Sequence, residues 1–187
     1  AGASVIFNHR FNSRLSGNLS AVFGEYAFQT IDETVQSYAF RHQYRINHYE
    51  LKADFTWLSL GAHRLTFGGN VNYYMLNRGL VEPFGEMSLR FPVNLGREDG
   101  LETSMYIADE ISLTPRLTLY GGIRYSGFLA LGPAQVLEYS EGLPRMESYI
   151  TDTLQFGVGK VIDSYSGPEP RISLTYLLGN DNSLKFS

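Results

Sequence analysis

The sequence has no cysteine and a single tryptophan among its 187 residues. Without cysteine there is no disulfide framework and no thiolate chemistry, and the chain is compatible with passage through an oxidising compartment. No stretch of about 18 apolar residues occurs, which excludes a membrane-spanning helix. Charge is nearly balanced, with 15 Lys and Arg against 19 Asp and Glu and a formal net charge of -4. That balance argues against a nucleic-acid surface, which is normally basic. No Ser/His/Asp or Cys/His set shows an informative spacing, so no catalytic residue and no enzyme activity is expected, with a protease or lipase as the alternative. The opening run Ala1-Gly2-Ala3-Ser4-Val5-Ile6-Phe7 lacks the basic region and apolar core of a signal peptide. The chain stops at Lys185-Phe186-Ser187 inside an alternating pattern, so both ends read as cuts and an internal segment of a longer protein is expected.

What is present is aromatic and small: 13 Tyr, 12 Phe and 19 Gly. The mean hydropathy of -0.16 would suit a soluble protein. A β-barrel gives the same value, because its strands alternate between lipid-facing and lumen-facing residues. The alternation is clearest from Asn47 to Trp57, where Tyr49, Leu51, Ala53, Phe55 and Trp57 oppose His48, Glu50, Lys52, Asp54 and Thr56. A period of two with all charge on one side is a strand. Further runs repeat it: Leu65, Phe67, Gly69, Val71, Tyr73; Leu117, Leu119, Gly121, Ile123, Tyr125; Ile172, Leu174, Tyr176; and Leu15, Gly17, Leu19, Ala21, Phe23. The run Val5 to Phe11 is less regular, and Asp109 interrupts the apolar parity of Met105, Ile107, Ile111 and Leu113. A carboxylate there is costly at a bilayer midplane and cheap near its edge. About eight antiparallel strands are expected, all-β, as wall of a transmembrane barrel over residues 1–187 with no plug domain.

Connections carry the second argument. Short, turn-rich links fall at Asn12-Ser13-Arg14, Leu60-Gly61-Ala62-His63, Thr114-Pro115-Arg116 and Gly179-Asn180-Asp181-Asn182. Long links, about 29–40, 79–100 and 129–168, alternate with them, so all short turns lie on one side. Short periplasmic turns and long external loops belong to outer-membrane barrels. The spacing of Tyr49 from Trp57, and of Tyr73 and Tyr125 from Leu65 and Leu117, climbs roughly 19 Å on a strand tilted near 45°, close to a lipid band of about 25 Å. Tyr49, Tyr73 and Tyr125 then form one aromatic girdle, with Trp57 at the other. A β-sandwich core could use the same aromatics, and alternation alone does not exclude it.

The run from Tyr106 through Thr114-Pro115-Arg116 to Tyr125 resembles the strand-turn-strand hairpin of TonB-dependent outer-membrane receptors. Pro168-Glu169-Pro170-Arg171-Ile172-Ser173-Leu174-Thr175-Tyr176 and Asn182-Ser183-Leu184-Lys185-Phe186-Ser187 are similar to the same family, especially its Bacteroidetes-type members. The resemblance implies a 22-stranded barrel plugged by a separate domain, in the bacterial outer membrane, taking up a scarce nutrient with energy from the TonB complex. Expected partners are outer-membrane lipid, a plug domain and further barrel strands outside this chain, the TonB complex and a surface lipoprotein. The alternatives are a small eight-stranded structural or adhesion barrel and a passive porin.

No cofactor and no metal site is expected. His48, Glu50, Lys52 and Asp54 share one strand face, but the lysine among them favours a hydrated charge ladder over a ligand set. Gly157-Val158-Gly159-Lys160 lacks the full glycine spacing of a phosphate loop and reads as a turn in a loop. Glu98, Asp99 and Glu102 form an acidic loop cluster without the calcium-hand pattern, read as solvated charge. Phe84, Phe91, Tyr139, Tyr149, Phe156 and Tyr165 stand among charges in the long links and are the candidate substrate-binding residues, with loop packing as the plainer alternative.

Overall fold

The structure, a computed structural model, describes every residue except Leu60, Asn180 and Asp181. The strands are β1 (Gly2–Arg10), β2 (Leu15–Asp32), β3 (Phe40–Leu58), β4 (His63–Pro83), β5 (Val93–Asn94), β6 (Arg97–Thr114), β7 (Leu117–Leu131), β8 (Ala134–Tyr139), β9 (Ile150–Phe156), β10 (Val161–Leu177) and β11 (Ser183–Phe186). Eight of them form one antiparallel sheet in the order β1-β2-β3-β4-β6-β7-β10-β11, with β5 alongside β4. β8 and β9 make a separate hairpin. Among the described residues the sheet has two edges, β1 and β11, and is not closed on itself.

The short links behave as their residues dictate. The Asn12 carboxamide oxygen accepts from the Arg14 and Leu15 amides at 2.8 and 2.9 Å. Thr114 Oγ1 accepts from the Arg116 and Leu117 amides at 3.2 and 3.0 Å. Such side chains substitute for backbone acceptors in a tight turn. The links expected near Leu60 and Asp181 lie partly outside the described residues.

The long links are shorter than the sequence suggests. Strands run into all three expected ranges and leave connections of 33–39, 84–96 and 132–160. The last of these holds the β8–β9 hairpin, which alternation did not reveal.

The register fixes how the strands lean. Leu15, Trp57, Leu65, Asp109, Gly121 and Ile172 lie in one cross-strand row. From that row the hairpin turns are two residues away at Ser13, four at Gly61 and six at Pro115, a drop of one residue per strand. A rise of ~3.4 Å per strand spacing of ~4.8 Å is a tilt of about 35°. Membrane barrel strands tilt by roughly 35–45°. The same stagger brings Phe23, Tyr49, Tyr73 and Tyr125 to within about two residues of one level. Tyr125 joins that girdle although its direct row partners are Met105 and, beyond it, Gly69. Leu119 comes level with Leu65 near the lower edge, whereas Leu51, Met105 and Ile123 lie higher, between that edge and the girdle.

Side chains of the expected apolar parity share one face, called the front here, from Leu19 and Leu51 through Val71, Met105 and Ile123 to Ile172. Nothing covers this face among the described residues. Leu51 is 64% exposed, Met105 71% and Ile172 70%, while the buried apolar residues are Ala39, Ala108 and Leu131. A β-sandwich would bury one such face under a second sheet, so that alternative falls. In water a continuous apolar face this large would be a liability; in a bilayer it is the required surface.

Acidic residues on the front face mark the limits of the apolar stripe. On β6 the stripe Leu101, Thr103, Met105, Ile107 runs between Asp99 and Asp109. Asp109 accepts from His63 at 2.7 Å. Asp99, whose side chain has 0% exposure, is held by Arg97 at 2.6 Å and by the Tyr73 hydroxyl at 2.6 Å. Ten residues of tilted strand span about 28 Å, close to the apolar band of roughly 25 Å in such barrels. The irregularity of β6 is therefore an edge, with its carboxylate paired.

Candidate aromatic belt on the back face

The back face carries the opposite parity: Glu50, Lys52, Asp54, Asn70, Asn72, Glu102, Ser104, Tyr106 and Arg124. These groups bond to one another. Lys52 pairs with Asp54 at 2.9 Å, and the Tyr106 hydroxyl donates to Asp54 at 2.6 Å. Ser104 donates to Asn70, which also accepts from Arg124 at 3.4 Å. Tyr106 and Tyr120 line a hollow above Ala108 and Gly122, where a Cβ on Gly122 would crowd Ala108 at 2.6 Å. Of His48, Glu50, Lys52 and Asp54, the last two are an ion pair and His48 stacks on Tyr74, and among the described residues no group of three His, Cys, Asp or Glu is arranged to hold a metal ion.

On β2 and β3 the two faces exchange character above the tyrosine level. On β2 the back face becomes Tyr26 and Phe28 and the front becomes Glu25, Ala27 and Gln29. On β3 the back face holds His42, Tyr44 and Ile46, the front Arg41, Gln43, Arg45 and Asn47. The strand geometry does not change across this point; only the chemistry of each parity does. Front-face polar groups pair across strands, Arg45 with Glu25 at 3.6 Å and Gln43 with Gln29 at 2.8 Å.

Back-face rings gather into a belt. Tyr44 lies 5.4 Å from Phe28, 6.2 Å from Tyr26 and 5.9 Å from His42, centroid to centroid. His48 stacks on Tyr74 at 4.9 Å, and Phe128 on Tyr165 at 5.3 Å. Corrected for the strand stagger, all these rings lie within about four residues of one level, just above the girdle. Tyr26 and Phe28 remain 55% and 44% exposed. Exposed rings on the back face offer stacking and edge contacts to a ligand carrying rings or apolar faces.

The six loop residues singled out from sequence do not meet in one place. Tyr165 is a strand residue and part of the belt, opposite Phe128. Phe84 lies under the Arg41 guanidinium at 5.0 Å, a packing contact. Phe91 is 85% exposed in the 84–96 connection. Tyr139 and Phe156 lie in the β8–β9 hairpin, and Tyr149 immediately precedes β9. Glu98, Asp99 and Glu102 are not a loop cluster: all three belong to β6, with Glu98 paired to Arg78 at 3.1 Å and Asp99 to Arg97. Alternate pointing separates neighbours that a loop would have let converge. Gly157 to Lys160 forms the turn before β10, with Lys160 donating to the Gly157 carbonyl at 3.1 Å and Gly159 at φ +73°.

Sequence reasoning missed Tyr26, Phe28, His42 and Tyr44. The signal was available, since Phe40, His42, Tyr44 and Ile46 alternate with Arg41, Gln43, Arg45 and Asn47.

No curated protein sequence matches this chain. Among solved structures, the ferric-catecholate import receptor Fiu from E. coli K12, in its closed form, is similar at a TM-score of 0.55 and 14% identity. The likeness covers 98% of this chain and 31% of that receptor, so the chain spans about a third of its length. The family model described as TonB dependent receptor-like, beta-barrel, matches residues 2–187. With eight tilted antiparallel strands and that match over nearly its whole length, the chain belongs to the TonB-dependent receptor β-barrel family.

Proposed function

We propose that this chain is part of the wall of an energised outer-membrane transporter, with its front face on lipid and its back face lining the lumen and a plug. The connections 33–39, 84–96 and 132–160 are then external, the turns at Asn12 and Pro115 are periplasmic, and energy comes from the TonB complex. The observation that carries this reading is the exchange of polarity at the tyrosine level. A barrel wall needs an apolar outside only where lipid touches it; above the bilayer the outside meets water. There the inside is free to bear rings, and the belt from Tyr26 to Tyr165 is the surface that first holds a nutrient. The loop residues Phe84, Phe91, Tyr139, Tyr149 and Phe156 stand above it as secondary contacts. At 14% identity the likeness to Fiu carries the fold and not the ligand.

Solute depletion by cells with and without the full-length receptor, read by mass spectrometry, identifies what is taken up. That uptake should stop when the TonB complex is deleted, and should fall about tenfold or more in Tyr26→Ala/Phe28→Ala/Tyr44→Ala at limiting ligand, each lost ring removing roughly 0.5–1.5 kcal/mol of contact. Uptake that persists without the TonB complex overturns energised transport. Uptake indifferent to the triple variant overturns the role of the belt.

A further inference from the structure

Most polar groups of the back face are paired with one another; one cross-strand row is left short of donors. Glu50 of β3, Asn72 of β4 and Glu102 of β6 lie side by side in it, about 4.8 Å apart from strand to strand. Neither carboxylate is in an ion pair among the described residues. The bases on the rows below are turned elsewhere, Lys52 to Asp54 at 2.9 Å and Arg124 to Ser126 at 3.1 Å and Asn70 at 3.4 Å. Asn72, between the two carboxylates, is 8% exposed, and its carboxamide oxygen is covered and accepts from no donor. A covered acceptor of this kind normally has a partner. The row also adjoins the belt. Tyr74, stacked on His48, stands two residues up the same face of β4, and its hydroxyl lies against Glu102 with Glu50 nearby. Phe128 and Tyr165 continue the row beyond Glu102. Beside them a hollow of about 440 Å³ is lined by Ser126, Gly167 and Glu169.

Two carboxylates and an amide oxygen, with rings above and beside them, suit a group that is cationic, carries only donors and has a flat face. A guanidinium is such a group, with five N–H donors in one plane, no acceptor, and a face that stacks on aromatic rings. We infer that this row holds a guanidinium of the ligand, and that the nutrient taken up carries this basic group next to a ring or apolar portion lying on the belt. The inference deepens the ligand-binding role of the belt given under Proposed function and rests on it. A bare divalent cation fits less well. Calcium takes roughly six to eight oxygens closing round it at about 2.3–2.6 Å, whereas a flat row of three side chains presents oxygens from one side only. An anionic ligand would meet two carboxylates that no base offsets. A basic side chain of the plug has the same chemistry, but the row runs without a break into Phe128 and Tyr165, rings that belong to the belt.

The test uses the purified full-length receptor in neutral detergent micelles and two probes that differ in little but charge, N-acetyl-phenylalanyl-arginine amide and its citrulline counterpart. Affinities come from saturation-transfer NMR titrations. The arginine probe should bind the parent protein at least tenfold more tightly than the citrulline probe. Glu50→Gln/Glu102→Gln should reduce that preference to less than twofold and leave the citrulline affinity unchanged, whereas Glu110→Gln, lower on the same face, should keep the preference in full. Equal affinities on the parent, or a preference that survives in the double variant, overturns the assignment. Stoichiometric binding of calcium that displaces the arginine probe and is lost with the two carboxylates makes the row a metal site and overturns it as well. A double variant that keeps the preference but melts several degrees lower assigns the row to a basic side chain of the plug, with the same consequence. Tyr26→Ala/Phe28→Ala/Tyr44→Ala separates the two readings. If it weakens both probes and the preference does not depend on the carboxylates, the guanidinium site alone fails; if it weakens neither while the carboxylates still set the preference, the role of the belt fails and the site stands.

Discussion

Below the tyrosine level the sheet is apolar in front and polar behind; above it β2 and β3 are polar in front and aromatic behind. The backbone does not register the boundary. β3 pairs with β2 without a shift from Leu15–Trp57 to Asp32–Phe40, so one continuous ladder serves two solvents. On the proposed orientation, what changes is the medium against which each face must be stable: hydrocarbon and a wet lumen below, water above. A one-residue slip would exchange the faces everywhere; here they exchange at one level and the register stays. The lesson is that the alternation of a membrane strand is a property of its surroundings at each height, laid over a uniform hydrogen-bond pattern.

The largest expected effect tests the lower region. Met105 lies between the two edge carboxylates, four residues from Asp109 and six from Asp99, and is 71% exposed on the front face. Met105→Arg should destabilise the inserted barrel by roughly 2–4 kcal/mol, the range for a cation at the bilayer midplane. Unfolding of the full-length receptor from a bilayer by denaturant gives the number. Leu119, of the same apolar parity, is level with Leu65 near the lower edge and should cost less. A loss at Leu119→Arg equal to that at Met105→Arg would show the tilt derived from the turns to be wrong.

A middle-sized effect belongs to the upper region alone. β4 bulges where Gln43 and Arg45 of β3 face Leu80 and Asn77, leaving Arg78 and Gly79 opposite Tyr44. Gly79 has φ +81°, and a Cβ there would strike the Gln43 carbonyl oxygen. Gly79→Ala should cost about 1–3 kcal/mol in backbone strain. The loss should be local, opening the 84–96 connection to protease while the lower strands keep their resistance. Loss of resistance throughout would show that the two regions fold as one unit.

How far the sequence foretold this molecule differs between the same two regions. Leu51, Phe55, Phe67, Val71, Leu119 and Ile123 fall on one face as their parity required, because burial against lipid imposes one sign of alternation over a long run. From Phe40 to Asn47 the alternation is as strict but opposite in phase, so the strand reads as starting at Asn47 and the residues before it carry no expectation. The first half of β10 hid for another reason. It carries Pro168 and Pro170, which pair with Tyr125 and Ile123 all the same. Proline is tolerated in a strand where its missing N–H falls on an unpaired edge, and no described strand joins the far side of β10 before Leu174. Tyr165 therefore passed for a loop residue. The belt was out of reach as a whole, since its rings come from β2, β3, β4, β7 and β10 and only the stagger brings them level.

The smallest expected effect is the sharpest control on the comparison. Leu80 lies opposite Gln43 on the front face above the girdle, 38% exposed. It differs from Met105 in height and not in the kind of surface it would occupy in a uniform apolar wall. If the front face above the tyrosines meets water, Leu80→Arg replaces one exposed side chain by another and should change stability by no more than about 0.5 kcal/mol. The arginine stem can lie along the sheet with its head in solvent, next to Glu82. If hydrocarbon reached that height, the cost would approach that of Met105→Arg. The measurement is the same bilayer unfolding experiment, and the quantity of interest is the difference between the two variants, in which errors of extrapolation largely cancel. A difference near zero would mean that the apolar band extends up to Leu80, that Glu25, Arg45 and Asp99 sit within it, and that the exchange of faces is not a boundary between solvents.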